Sequence, residues 1–284
     1  MPVPRIDHVV IDVGDRLDEA ARLYRTLGFS LTERAQHSLG SYNQLCVFGR
    51  DYLEFLSPGS GARADLVGFP VGLNGLVFAL MGADAVYDTL RARGIPVQPV
   101  QRFSRNVDLP GGARGEARFN VIRVEPRAVF DGRVYFCEHV TPDMIWRPEW
   151  QAHPNGAIAL ARIALSARNP DAIAESFDRM FGAGAVERPA SSESPHVLRS
   201  GEAAVEIWPR DTLARMLGTA MPDPAGRADH IALVGIRVRS LDATEDVLRA
   251  NGVEYVRPGP GRILVPPAEA MNVALEFVAD QSPR

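Results

Sequence analysis

Apolar residues along this chain fall into a pattern that returns four times: a short apolar strand, an amphipathic helix and a glycine that closes the helix. IDHVVIDV at 6–13 runs into a helix ending at Leu27-Gly28-Phe29. The pattern returns in GLVFALMGADAVYDTLRARGI at 75–95, RIALSARNPDAIAESFDRMFG at 162–182 and IALVGIRVRSLDATEDVLRANGV at 231–253. After each helix come about three more short apolar stretches, so the unit reads βαβββ. The predicted fold is α+β, with four such units filling the chain.

Within the first strand the period of two places Val9, Ile11 and Val13 on one face and His8, Val10 and Asp12 on the other. The first set is expected under the helix, whose own apolar stripe is Leu17, Ala20, Ala21, Tyr24 and Leu27. Asp15 is the predicted cap of that helix, Asn169 with Pro170 opens the third, and Ser240 opens the fourth. Gly182 and Gly252 stop the last two.

The closing glycines Gly28, Gly94, Gly182 and Gly252 are separated by 66, 88 and 70 residues, so the units pair as first with second and third with fourth. This predicts two halves, 1–145 and 156–284. The linker is TPDMIWRPEWQAHPNGA at 141–157, and its Trp146 and Trp150 are expected either between the halves or in a ligand wall. Residues 57–73 and 102–117 read as long irregular loops and candidate lids, carrying Arg63, Arg102, Arg105 and Arg114.

Composition narrows the chemistry. The net charge is -4, without the basic excess that a phosphate backbone requires, so nucleic acid is not an expected partner. All 31 basic side chains are arginines, which excludes a lysine Schiff base and a P-loop site. Cys46 and Cys137 lack CxxC spacing and fit buried thiols in a reducing cytosol. No apolar run approaches the length of a membrane span, and no secretory signal opens the chain, so the expectation is a cytoplasmic protein with no membrane partner. A small-molecule substrate, anionic to suit the arginines, and a second copy of the chain in a homodimer are the expected partners.

Asp7-His8, Leu27-Gly28-Phe29, His37-Ser38-Leu39-Gly40-Ser41-Tyr42-Asn43, Tyr52-Leu53-Glu54 and the run Trp146 to Gly156 resemble the vicinal oxygen chelate superfamily, and within it the bacterial glyoxalase-like domain proteins. The resemblance covers nearly the whole chain and implies two pseudo-symmetric glyoxalase/bleomycin-resistance-like halves. It also implies a cup in each half, with a divalent metal (zinc, nickel, manganese or iron) on ligands from the first and last strands of the paired units. Tyr52–Pro58 aligns with Phe136–Pro142 at an offset of 84, which sets Glu54 on Glu138. The implied seats are then His8, Glu54, Asn74 (or Gly75) and Glu138, with His8, Glu54 and Glu138 as the metal ligands. Such a cation would act as a Lewis acid on a substrate with neighbouring oxygens.

Acid and base candidates are Glu54, Glu138, His37 and Tyr42, and Arg102, Arg105, Tyr42 and Asn43 are candidates for substrate contact. Arg123 or Arg133 is the rival neutraliser of the two glutamates. His139, next to Glu138, is expected on the opposite face. In the second half Arg162 takes the place of His8, opposite Glu206, with Glu276, Ala232 and nearby His230 completing the comparison; that cup is expected to be structural or an anion site. The functional expectation is a metal-dependent lyase or isomerase, with a metal-free sequestering protein as the alternative. An iron dioxygenase fits less well, because Asn74 stands where a second histidine is needed.

Overall fold

A computed structural model describes residues 1–59 and 68–280. Arg63 and the rest of 60–67, the middle of the first candidate lid, lie outside them. The first half runs β1 (Ile6–Asp12), α1 (Leu17–Thr26), β2 (Ala35–Gln36), β3 (Tyr42–Val47), β4 (Tyr52–Ser57), β5 (Gly72–Ala79), α2 (Ala83–Ala92), β6 (Gln101–Asp108), β7 (Arg114–Arg123) and β8 (Arg133–His139). The second runs β9 (Ala157–Ala167), α3 (Pro170–Phe181), β10 (Val186–Glu187), β11 (His196–Ser200), β12 (Ala203–Pro209), α4 (Arg210–Leu217), β13 (His230–Val238), α5 (Leu241–Ala250), β14 (Val256–Gly259), β15 (Arg262–Val265) and β16 (Ala274–Ala279).

The fold is α+β, with one eight-stranded sheet per half in matching orders, β2-β3-β4-β1-β5-β8-β7-β6 and β10-β11-β12-β9-β13-β16-β15-β14. Helices α1, α2, α3 and α5 bury their apolar faces in one cluster that both sheets share, and Val9, Ile11 and Val13 lie in it. Phe78 meets Phe181 at 5.1 Å and Phe29 meets Phe277 at 5.8 Å, joining the halves through that core. The other faces of the sheets carry separate clusters: Val10, Tyr52, Phe119 and Tyr135 in the first, and Ala164, Leu213 and Ala232 in the second. Among the described residues no helix is long and apolar enough to cross a membrane.

Two local expectations change. Asp15 does not cap α1; Arg16 holds the cap position without a side-chain bond to the helix and pairs with Glu19 instead. Asn169 and Ser240 do accept from Ala172 N–H and Ala243 N–H. Residues 102–117 are mainly the two arms of a hairpin, β6 and β7, with Gly111 and Gly112 in its turn. Its alternation was concealed because an arginine, Arg105, occupies an inward position between Phe103 and Val107. The first sheet also closes on itself: a bridge joins His37, just past β2, to Arg105 on β6, with Ser38 N–H donating to Ser104 O at 2.8 Å.

Gly28 and Gly94 follow α1 and α2 at φ of +84° and +70°. A Cβ at Gly28 would meet Val247 Cγ1 at 2.6 Å and Asn155 Cβ at 3.0 Å, whereas nothing lies within 4 Å of one at Gly94. Gly94→Ala should lose about 1–2 kcal/mol, the left-handed penalty for an L side chain. Gly28→Ala adds overpacking against the second half and should lose roughly 2–4 kcal/mol in urea unfolding. Equal losses would show that the halves do not meet at Gly28 as closely as described.

Candidate functional site

The concave face of the first sheet forms a partly open pocket with about 530 Å³ of empty space, the solvent at its mouth included. Alternation on each strand decides what enters it: His8 from β1, Asn43 from β3, Tyr52 and Glu54 from β4, Phe103 and Arg105 from β6, Phe119 and Arg123 from β7, and Tyr135 and Cys137 from β8. His37 reaches it from the segment after β2.

The polar centre is a chain of buried groups. His8 Nδ1 bonds to Asp7 Oδ2 at 2.8 Å, and its Nε2 lies 3.5 Å from Glu54 Oε2. Asn43 Nδ2 donates to Glu54 Oε1 at 2.7 Å and to His37 Nε2 at 3.3 Å, while His37 Nδ1 meets Ser41 Oγ at 2.9 Å. The His8 ring stacks on Tyr52 at 4.3 Å.

Asp7 enters this chain through a bulge. The pairing of β1 with β5 shifts between Ile6 and His8, so Asp7 is an extra residue and its side chain is turned in beside its neighbour's. Its Oδ2 also accepts from His139 Nε2 at 2.8 Å, and Arg5 Nη2 stands 3.3 Å from Oδ1.

Burial opposes charge on all three linked groups, and their mutual contacts outweigh it. Burial would lower the His8 pKa, yet hydrogen bonds and charge from Asp7 and Glu54 raise it to about 9. Burial would raise the carboxyls, but His139 and His8 hold Asp7, and His8, His37 and Asn43 hold Glu54, well below the usual carboxylate range. Arg105 is 3% exposed and, among the described residues, pairs with no carboxylate and leaves Nη2 without a hydrogen-bond partner. Burial lowers its pKa, with Tyr52 and Glu54 opposing.

The structure brings together His8, His37, Asn43, Glu54 and Arg105 and leaves the other candidates outside. Glu138 faces away from the cup, accepting from Gly82 N–H at 2.6 Å at the start of α2 and from Asn120 Nδ2 at 2.7 Å. The inward residues of β8 are its odd-numbered ones, so the offset of 84 misplaces this strand by one position, and His139 is the residue that turns in. Asn74 is turned toward Pro70 O, Gly72 O and Arg227 Nη1. Tyr42 alternates with Asn43 and packs on the shared core. Arg102 is exposed and bonds Asp84 at 2.7 Å, and Arg114 pairs with Asp108 at 3.2 Å. Arg133 pairs with Asp12, away from both glutamates. Trp146 and Trp150 pack on the cup cluster, and Trp146 lies 4.4 Å from the His139 ring.

These side chains do not assemble the four-ligand centre that the resemblance implies. Only His8 and Glu54 occupy the seats as strong donors, since the inward residue of β5 is Val77 and Asn74 is turned away. Asp7, Cys137 and His139 do bring three donor atoms within 4.8 Å of one another. Asp7 Oδ2 there already serves two imidazoles.

Similarity to known proteins agrees with this architecture. The family model described as a glyoxalase-like domain matches residues 6–181. The chain therefore belongs to the glyoxalase-like domain family, within the vicinal oxygen chelate superfamily. No curated protein matches it. Its fold is similar to that of a hypothetical protein from Staphylococcus aureus, with 11% identity, TM-score 0.66, and coverage of 97% of this chain and 99% of the other. It is also similar to a 4-hydroxymandelate synthase mutant from Streptomyces coelicolor (14%, 0.63, 100% and 94%) and the Mn(II)-bound glyoxalase from Novosphingobium aromaticivorans (14%, 0.57, 99% and 83%).

Because the folded His8 has a pKa of about 9 against an ordinary 6.5, its stabilising contribution is complete below pH 6.5 and is lost as pH rises toward 9. The Tm difference between wild type and His8→Gln should shrink over that window. A difference that stays flat or grows would show that the Asp7 and Glu54 contacts do not hold the imidazolium.

Proposed function

We propose that the first cup binds a small carboxylate-bearing metabolite and acts on it by proton transfer, as a glyoxalase-like lyase or isomerase with His8 as the acid. The observation that carries this reading is Arg105, a buried guanidinium without a counter-ion among the described residues, lining the same cavity as the His8–Glu54 pair. A buried cation of this kind is costly until an anion meets it, and the planar fork of arginine suits a carboxylate.

The substrate carboxylate sits on Arg105, which orients the remaining oxygens toward His8. At neutral pH the imidazolium presents its Nε2 proton to the oxygen where negative charge develops. Asp7 fixes the ring through Nδ1, and Glu54 balances its charge until the substrate oxygen takes that place. A sequestering protein built on the same cup would show the binding without turnover.

Isothermal titration with pyruvate tests the carboxylate seat. Arg105→Met should weaken binding by about 1.5–3 kcal/mol, the worth of a charged hydrogen bond, while Arg102→Ala and Glu138→Gln bind as wild type. Unchanged affinity in Arg105→Met would overturn the reading.

A metal-dependent reading has the Asp7, Cys137 and His139 group in its favour, and the Arg5 guanidinium beside Asp7 against it. Protein purified without chelator should therefore contain far less than one ion per chain. A full equivalent that disappears in Cys137→Ser would favour the metal.

A further inference from the structure

We infer that the ligand of the first cup carries a single carboxylate on a flat aromatic body, and that peptide-like thiol conjugates are excluded from it. The inference rests on the reading of the cup as a carboxylate site and specifies what the carboxylate is attached to.

The first observation is the wall. Phe103 and Phe119 face the cavity from neighbouring strands with ring centroids 5.3 Å apart. Tyr135 lines it from β8 under the Arg123 guanidinium, which stands 5.4 Å from the ring centroid. Across the cup Tyr52 stacks on His8 with only 12° between the rings, so a second surface is flat as well. Aromatic rings recognise another ring edge-to-face or offset, at centroid distances of about 4.5–7 Å, and both surfaces present rings of this kind to the cavity.

The second observation is the charge inventory. Among the described residues Glu54 is the only carboxylate lining the cavity, and Asn43 and His8 already stand against its two oxygens. An ammonium group would find no uncommitted carboxylate among the described lining residues, only the neutral amide oxygen Asn43 Oδ1. On the cationic side Arg105 is uncommitted, whereas Arg123 already donates to Gln101 Oε1. Among the described residues the cup thus offers one uncommitted charged seat, and it suits an anion rather than a cation. A glutathione conjugate brings two carboxylates and an ammonium, so part of its charge would be buried without a partner.

Calorimetry and thermal shift with phenylacetate, cyclohexylacetate, acetate and S-hexylglutathione test this. Wild type should bind phenylacetate at least about tenfold more tightly than acetate, the order expected for burying a phenyl group, and more tightly than cyclohexylacetate. S-hexylglutathione should produce no shift. Phe119→Leu should weaken phenylacetate and leave acetate unchanged; the half-buried Phe103→Leu serves the same purpose if Phe119→Leu fails to fold. Acetate or cyclohexylacetate binding as tightly as phenylacetate, or competition by S-hexylglutathione, would overturn the aromatic inference while leaving the carboxylate seat intact. If no carboxylate binds in an Arg105-dependent way, the carboxylate reading itself falls, and the aromatic inference with it.

Discussion

A carboxylate wholly removed from water must be answered by donors where it stands, and the first cup is organised around one that is. Asp7 has no exposed surface and is met by Arg5, His8 and His139. The contact with His139 spans the intervening strand β5 and ties β1 to β8. The contact with His8 fixes which ring nitrogen faces the cavity, and Glu54 then finds an imidazolium rather than a second carboxylate. Loss of any one donor would leave buried charge unanswered, which is why the cluster behaves as a unit.

Much of the architecture could be read from periodicity. The four repeats and the burial of Val9, Ile11 and Val13 follow from hydrophobic spacing, whereas the meeting of His8 and Glu54 in one cup was implied by the family resemblance. The site was less legible wherever a single-residue register decided the outcome. On β8 both Cys137 and Glu138 are plausible inward residues by type, and the repeat alignment preferred the carboxylate; the sheet turns in Cys137 and His139. Asp7 was hidden for a related reason, because a bulge leaves no mark in the sequence. Arg105 was recognisable as a candidate contact only by type, since a charged residue at an inward strand position makes the strand look like a loop.

The second cup shows how little the shared topology determines chemistry. At the position corresponding to His8, Arg162 is clamped by Glu276 through Nε at 2.7 Å and by Glu206 through Nη1 at 2.8 Å. Burial works against its charge, but Glu276 and Glu206 raise its pKa further. Trp208 Nε1 also donates to Glu206, and α4 places Leu213 and Leu217 in the apolar cluster of this face. The acidic positions are thus internally neutralised by a residue that cannot release a proton, whereas the first cup keeps a group that can. Similar folds consequently support different electrostatic outcomes in the two halves of one chain.

The His37–Arg105 bridge has a consequence for how the molecule meets other proteins. By linking the segment after β2 to β6 it leaves the first sheet with little open edge, so few unpaired backbone groups invite another strand. No such bridge is seen between β10 and β14 among the described residues, and β14 remains solvent-facing with Val256 53% exposed. Arg257 and Pro258 interrupt that border with a charge and a missing N–H donor, features that discourage strand addition. Protection against unwanted sheet growth is therefore achieved by closure in one half and by residue choice in the other.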